Sequence, residues 1–209
     1  MAKKKIFQTY PHFYEKMNQF LKENETITSC DVCFVGDSLV EMMDVTTFTN
    51  LKCINRGISS DQTTGVLTSL HDRVVVTKPK TVFVFAGSND VCNHYLAIEI
   101  QANLINIINI LKEELGDVKI IVSTLLPPCY YKGDHIDYAY PECRDTLHIQ
   151  GTNELIKKLE NKDNNVHVFD SYSILADKNG SLSLEDTLDG VHLTVDAYDR
   201  LKRELIKML

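Results

Sequence analysis

Five short apolar runs, each halted by a turn residue and each followed by a helical spacing of apolar residues, constrain this chain more than any other feature. The runs are Val32 to Val35, Leu51 to Gly57, Thr81 to Ala86, Val118 to Thr124 and Val166 to Phe169. The third is continuously apolar after Thr81 and rich in β-branched and aromatic side chains, as a central strand covered on both faces should be. Between the runs, Val66, Leu67, Leu70 and Val74 share one face of a helix over Thr63 to Val74. A long helix after Gly87-Ser88-Asn89-Asp90 carries a stripe of Ala97, Ile100, Leu104, Ile107, Ile108, Leu111 and Leu115, and Gly116 closes it. Further helices are predicted over Thr146 to Leu159 and from Val195, the last with Tyr198, Leu201, Leu205 and Met208 inward. Phe13, Met17, Phe20 and Leu21 predict an N-terminal helix over Phe7 to Glu25 lying against the main body.

Strands alternating with helices imply an α/β chain: a parallel sheet with helices on both faces, in one domain spanning residues 1–209. In such folds ligands bind beyond the carboxyl ends of the strands. Ser38, Gly57 and Asn89 all follow predicted strands, so they should gather at one rim.

Charge narrows the partners. With 22 Lys+Arg against 29 Asp+Glu, the net charge of −7 argues against nucleic-acid binding, which needs a basic footprint. The basic run Lys3-Lys4-Lys5 reads as a solvated start of the chain. No apolar stretch reaches the length of a membrane span, and no signal peptide is apparent, so a cytoplasmic protein with reduced thiols is expected. Cys30 and Cys33 form a C-x-x-C but bracket a strand start, where positions three apart face opposite sides. They have no second C-x-x-C or C-x-x-H partner, so the reading is buried structural cysteine rather than zinc.

Two local patterns carry chemistry. In Val35-Gly36-Asp37-Ser38-Leu39 the strand stops at a glycine and Ser38 stands where a helix begins. Its side chain is lifted clear of the strand, and the free N–H groups of a helix start can hold an oxyanion. Such a serine is a candidate nucleophile, and equally a plain helix cap. In Asp189-Gly190-Val191-His192 a turn at Gly190 lets the carboxylate reach the ring of His192, fixing its tautomer and leaving the other nitrogen to take a proton from Ser38. The competing reading is a surface histidine before a helix capped by Thr194. The Ser38 N–H, the Gly57 N–H and the Asn89 side-chain amide are candidate oxyanion donors; Gly57 could be only a turn and Asn89 only a cap.

Gly36-Asp37-Ser38-Leu39, Asn55-Arg56-Gly57, Gly87-Ser88-Asn89-Asp90 and Asp189-Gly190-Val191-His192-Leu193 occur in this order across most of the chain. The set resembles the GDSL/SGNH hydrolase family; the G-x-S-x-G of common α/β-hydrolases is absent. The resemblance implies a flavodoxin-like three-layer α/β/α sandwich and hydrolysis of esters through an acyl-enzyme, with no metal or organic cofactor. It implies Ser38, Asp189 and His192 as the triad and Ser38, Gly57 and Asn89 as the oxyanion hole. Asp37 and Asp90 are read as bonding backbone in their turns.

The expected substrate is a small-molecule ester, acetyl-like, of a carbohydrate or lipid. The pattern is similar to acetylhydrolase and lysophospholipase members, and no long apolar lid is visible. The alternative is a catalytically silent relative binding a glycan or lipid. The tyrosine-rich stretch Cys129 to Arg144 is read mostly as a loop, either lining the pocket or a surface insertion. His94 could touch substrate or lie in solvent. A homo-oligomer stays open.

Overall fold

The computed structural model describes residues 11–209. Among them, five strands form one sheet: β1 Cys30–Gly36, β2 Cys53–Gly57, β3 Pro79–Phe85, β4 Lys119–Ser123 and β5 Val166–Phe169. The helices are α1 Pro11–Asn24, α2 Ser38–Glu41, α3 Thr63–Arg73, α4 Ser88–Cys92, α5 Ala97–Leu115, α6 Ala139–Glu142, α7 Thr146–Lys157, α8 Ser171–Leu175 and α9 Val195–Leu205. The strand order is β2-β1-β3-β4-β5 and every neighbouring pair is parallel. This is the flavodoxin-like order, whose direction switches between β1 and β3. Ser38 leaves β1 and Asn89 follows β3, so both stand at the switch.

The pleat sorts side chains into two cores. Cys33, Val35, Val82, Val84, Ile120 and Val122 point to one face, where Val66, Leu70, Ile100, Leu104, Ile107, Leu111, Ile149 and Ile156 from α3, α5 and α7 cover them. Val32, Phe34, Phe83, Phe85 and Ile121 point to the other, against Leu39, Leu175, Leu201 and Leu205 from α2, α8 and α9. Phe83 sits amid Phe34, Phe85 and Phe169, with ring centroids 5.5, 5.9 and 5.9 Å away. A three-layer α/β/α arrangement results, as expected.

Several local expectations change. Phe7 to Tyr10 and the run Lys3-Lys4-Lys5 lie outside the described residues. On α1, Phe20 is buried beneath the Arg56 guanidinium, 4.6 Å from its ring centroid, but Leu21 is exposed, because only the Phe20 side meets the body. The long helix after Asp90 is broken at residues 93–96: His94 takes a left-handed φ of 63°, and Glu99 then accepts the Leu96 N–H at 2.9 Å to start α5. Cys30 and Cys33 join the same core, since Cys30 opens β1 with its thiol 3.8 Å from the Thr77 hydroxyl. Two thiols are not free: Cys92 and Cys143 form a disulfide, because the ends of α4 and α6 meet across 51 residues of sequence. Among the described residues, no helix is long and apolar enough to cross a membrane.

Candidate active site

Gly36 ends β1 where a Cβ would lie 1.9 Å from the Phe85 carbonyl oxygen, so only glycine lets β1 pass β3 at this point. Asp37 then caps α2, accepting the Leu39 N–H at 2.9 Å. Its carboxyl is fully buried, and that burial pushes its pKa up to about 7 against the pull of the Leu39 N–H and the Arg144 charge. Ser38 follows as the first residue of α2, and its N–H makes no hydrogen bond among the described residues.

The hydroxyl of Ser38 lies 2.9 Å from His192 Nε2, and His192 Nδ1 lies 2.5 Å from Asp189 Oδ2. Gly190, at φ 111°, makes the turn that brings the carboxylate back to the ring. Asp189 Oδ1 accepts the N–H groups of Val191 and His192 at 3.0 and 2.9 Å, which locks the carboxylate before any substrate arrives. Burial pushes Asp189 up, but the His192 ring and these two N–H donors outweigh it and hold the carboxyl below the usual range. Asp189 therefore stays ionised, able to offset a positive charge on the imidazole.

The Asn89 amide stands beside this relay. Its Nδ2 donates to the Asp61 carbonyl at 2.9 Å, and its Oδ1 accepts from Arg144 Nη2 at 2.9 Å. Asp90, the next residue, is buried and accepts the N–H and hydroxyl of Thr63; burial pushes its carboxyl up to about 6. It ties α3 to α4 across 27 residues of sequence, whereas the sequence reading has it bonding backbone in its own turn; its structural role is long-range because α3 packs its first residue against α4.

Gly57 stands differently from its expectation. Its N–H donates to Asn55 Oδ1 at 2.8 Å, and the residue is buried against α2. The Asn55 amide also holds the Val40 and Met43 carbonyls at 2.6 and 3.0 Å, so Asn55-Arg56-Gly57 fastens β2 to the helix that carries Ser38. Gly57 is not among the residues that line the pocket, whereas Ser60, three residues on and at φ 64°, is, and the Ser60 N–H makes no hydrogen bond among the described residues. Ser59 fixes this loop by donating its N–H and hydroxyl to Glu41 at 2.5 and 2.7 Å. Sequence reasoning missed Ser60; the available signal was a small-residue loop directly after a strand.

Ser38, Asn89 and His192 open into a cavity of about 250 Å³, whose remaining wall is Met42, the Ser59-Ser60 loop, Tyr140 and Arg144. The stretch Cys129 to Arg144 thus lines the pocket. It folds partly into α6, and the Tyr140 ring stands edge-on to His192 with centroids 5.4 Å apart. The Arg144 guanidinium is buried; that burial lowers its pKa, and the charges of Asp37 and Asp189 oppose the shift. His94 is exposed and lines no part of this cavity. A larger groove of about 420 Å³, between residues 47–51 and α9, shares no residue with it.

The sequence profile of the GDSL-like Lipase/Acylhydrolase family matches residues 34–200. The chain is 29% identical to the human platelet-activating factor acetylhydrolase IB subunit alpha2 over 185 residues, covering 86% of this chain and 76% of that one. A Streptococcus pneumonia structure named for platelet activating factor superposes with a TM-score of 0.86 at 24% identity, covering 94% of this chain and 92% of that chain. A mutant of an acetyl-xylooligosaccharide esterase from Geobacillus Stearmophilus superposes at 0.65 with 18% identity, covering 86% and 94%. The two structures share the fold.

Proposed function

This chain belongs to the GDSL-like lipase/acylhydrolase family of hydrolases, and from that premise we propose that it is a serine ester hydrolase working through an acyl-enzyme on short, acetyl-like esters. The observation that carries this reading is the unbroken contact from Ser38 Oγ through His192 to Asp189, at 2.9 and 2.5 Å, opening into a cavity.

In this reading Ser38 Oγ attacks the ester carbonyl as His192 Nε2 takes its proton. The carbonyl π pair moves onto oxygen, giving a tetrahedral oxyanion. That oxygen is held by the Ser38 N–H, by the second N–H of Asn89 Nδ2 and, in place of Gly57, by the Ser60 N–H. One such donor can be worth about 10²–10³ in rate. The imidazolium returns its proton to the departing alkoxide, and the C–O bond breaks to leave an acyl-serine. Water then repeats the path, giving up its proton to His192, and releases the acid and Ser38.

The acyl preference rests on size and polarity. A cavity of about 250 Å³ walled by serines, an asparagine, an arginine and a tyrosine suits a small acyl group better than a long chain. Relatives named as an acetylhydrolase and an acetyl-xylooligosaccharide esterase support an acetyl ester of lipid or carbohydrate. The test is hydrolysis of p-nitrophenyl esters from acetate to decanoate. Turnover should be greatest on acetate and fall with chain length, and Ser38→Ala should remove at least about 10³-fold of it. A well-folded protein inactive on every ester would overturn the reading in favour of a silent glycan- or lipid-binding relative, and activity untouched by Ser38→Ala would overturn Ser38 as the nucleophile.

A further inference from the structure

The Asn89 amide has two ends that look alike in shape and opposite in chemistry. Only the Nδ2 end can stabilise an oxyanion; with Oδ1 turned inward, a lone pair would oppose it. Two neighbours of single chemical role bear on the choice. The Asp61 carbonyl can only accept, and it holds Nδ2 at 2.9 Å. The Arg144 guanidinium can only donate, and it holds Oδ1 at 2.9 Å.

Arg144 is itself fixed on every side. Its Nε donates to Ser88 Oγ at 2.8 Å and its Nη1 to the Tyr140 carbonyl at 2.6 Å, while the residue is only 5% exposed. The residue before it, Cys143, is bonded to Cys92 at the end of α4, the helix that carries Asn89. Donor and acceptor are thus held on two segments that a covalent link joins. A flipped amide would set oxygen against the Asp61 oxygen and nitrogen against the guanidinium, losing both hydrogen bonds at once.

We propose that Arg144 is a positioning residue for the hydrolytic reaction: through Asn89 Oδ1 it fixes the amide so that the second N–H of Nδ2 faces the pocket beside Ser38. The fork geometry matters, because three acceptors in different directions are met by one planar group, which a lysine ammonium cannot reproduce. The inference deepens the ester-hydrolase reading, and in its kinetic form it rests on that reading.

The test is a double-mutant cycle of Arg144→Met and Asn89→Ala on p-nitrophenyl acetate, with Arg144→Lys alongside. Arg144→Met should lower kcat by about 10–10²-fold with KM within about threefold, since the lost donor acts in the transition state. On the Asn89→Ala background the same change should cost no more than about threefold, because its target is gone. Arg144→Lys should fall between wild type and Arg144→Met. Equal losses on both backgrounds, or a rise in KM with kcat intact, would overturn the proposal. Should Arg144→Met fail to fold, Arg144→Lys on the two backgrounds decides by the same criterion.

A second readout does not depend on turnover. The Asn89 side-chain NH₂ protons should give two separate, slowly exchanging NMR signals in the wild type, and faster exchange with altered shifts in Arg144→Lys. Unchanged signals would refute the positioning role even in an active enzyme. A wild type with no esterase activity would sink the hydrolase reading while these signals still decide what Arg144 does to Asn89.

Discussion

In the proposed mechanism Ser60 takes the N–H donor role expected of Gly57, and Gly57 is left with packing against α2. A Cβ on Gly57 would lie 2.1 Å from the Glu41 nitrogen and 2.5 Å from its Cα, both backbone atoms that cannot swing aside. Gly57→Ala should therefore destabilise the protein by about 1–3 kcal/mol or more, read as a lower urea midpoint, and it should disturb α2 and hence Ser38. Unchanged stability with a selective loss of kcat would instead return Gly57 to the role of a simple N–H donor. Ser60 sits at φ 64°, where an L-residue carries a cost of about 1–2 kcal/mol that glycine escapes. Glycine also loosens the unfolded chain, so Ser60→Gly should be neutral in stability to within about 1 kcal/mol. It should also keep its activity, because the N–H remains. A large fall in kcat would mean that the Ser60 hydroxyl, rather than its N–H, acts on substrate.

At the scale of elements, the segment from Cys129 to Arg144 becomes a wall because its backbone is pinned to the histidine turn. The Cys129 N–H donates to the Gly190 carbonyl at 2.7 Å and the Asp137 N–H to the Asp189 carbonyl at 2.8 Å. Its far end is pinned by the Cys92–Cys143 disulfide. A disulfide of this loop length typically contributes about 2–4 kcal/mol. Cys143→Ser should lower the melting temperature accordingly, and it should reduce kcat by freeing Tyr140 and Arg144. Dithiothreitol should reproduce both effects in the wild type and add nothing in the variant. A reductant that changes neither protein would remove the disulfide from the account of the site.

Across the whole molecule, buried carboxyls set the response to pH. Asp37, pushed up to about 7, and Asp90, pushed up to about 6, keep protons that the unfolded chain loses near 3.8. The folded state then binds more protons than the unfolded one, so these two groups make stability fall as pH rises from about 4 to about 7, levelling off above. Asp189 works the other way: held below the usual range, it stabilises above the unfolded value near 3.8 and loses that contribution as pH falls through its folded value. Asp37→Asn keeps an oxygen for the Leu39 N–H but removes the titration. The melting temperature of Asp37→Asn minus that of the wild type should thus increase between pH 4 and pH 8. A difference that stays flat over this interval would mean that Asp37 ionises in the folded protein as it does in the unfolded chain.

What the sequence by itself determined was local. The period of its apolar residues dictated parallel strands covered by helices, because a continuous run such as Thr81 to Ala86 must be buried on both faces and Ile100, Leu104, Ile107 and Leu111 must share one side of a helix. It also put Ser38 at a helix start and set Asp189 three residues from His192, distances that one turn can close. Tertiary structure decided every choice between groups distant in the chain. Gly57 and Ser60 both offer an N–H after the same strand, and only the packing of β2 on α2, with Asn55 taking the Gly57 N–H, sends Ser60 to the pocket. Arg144 lies 55 residues from Asn89 and Cys143 lies 51 from Cys92. No periodicity links positions so far apart. Their meeting follows from a sheet whose order switches between β1 and β3, leaving a crevice into which the stretch after β4 folds back.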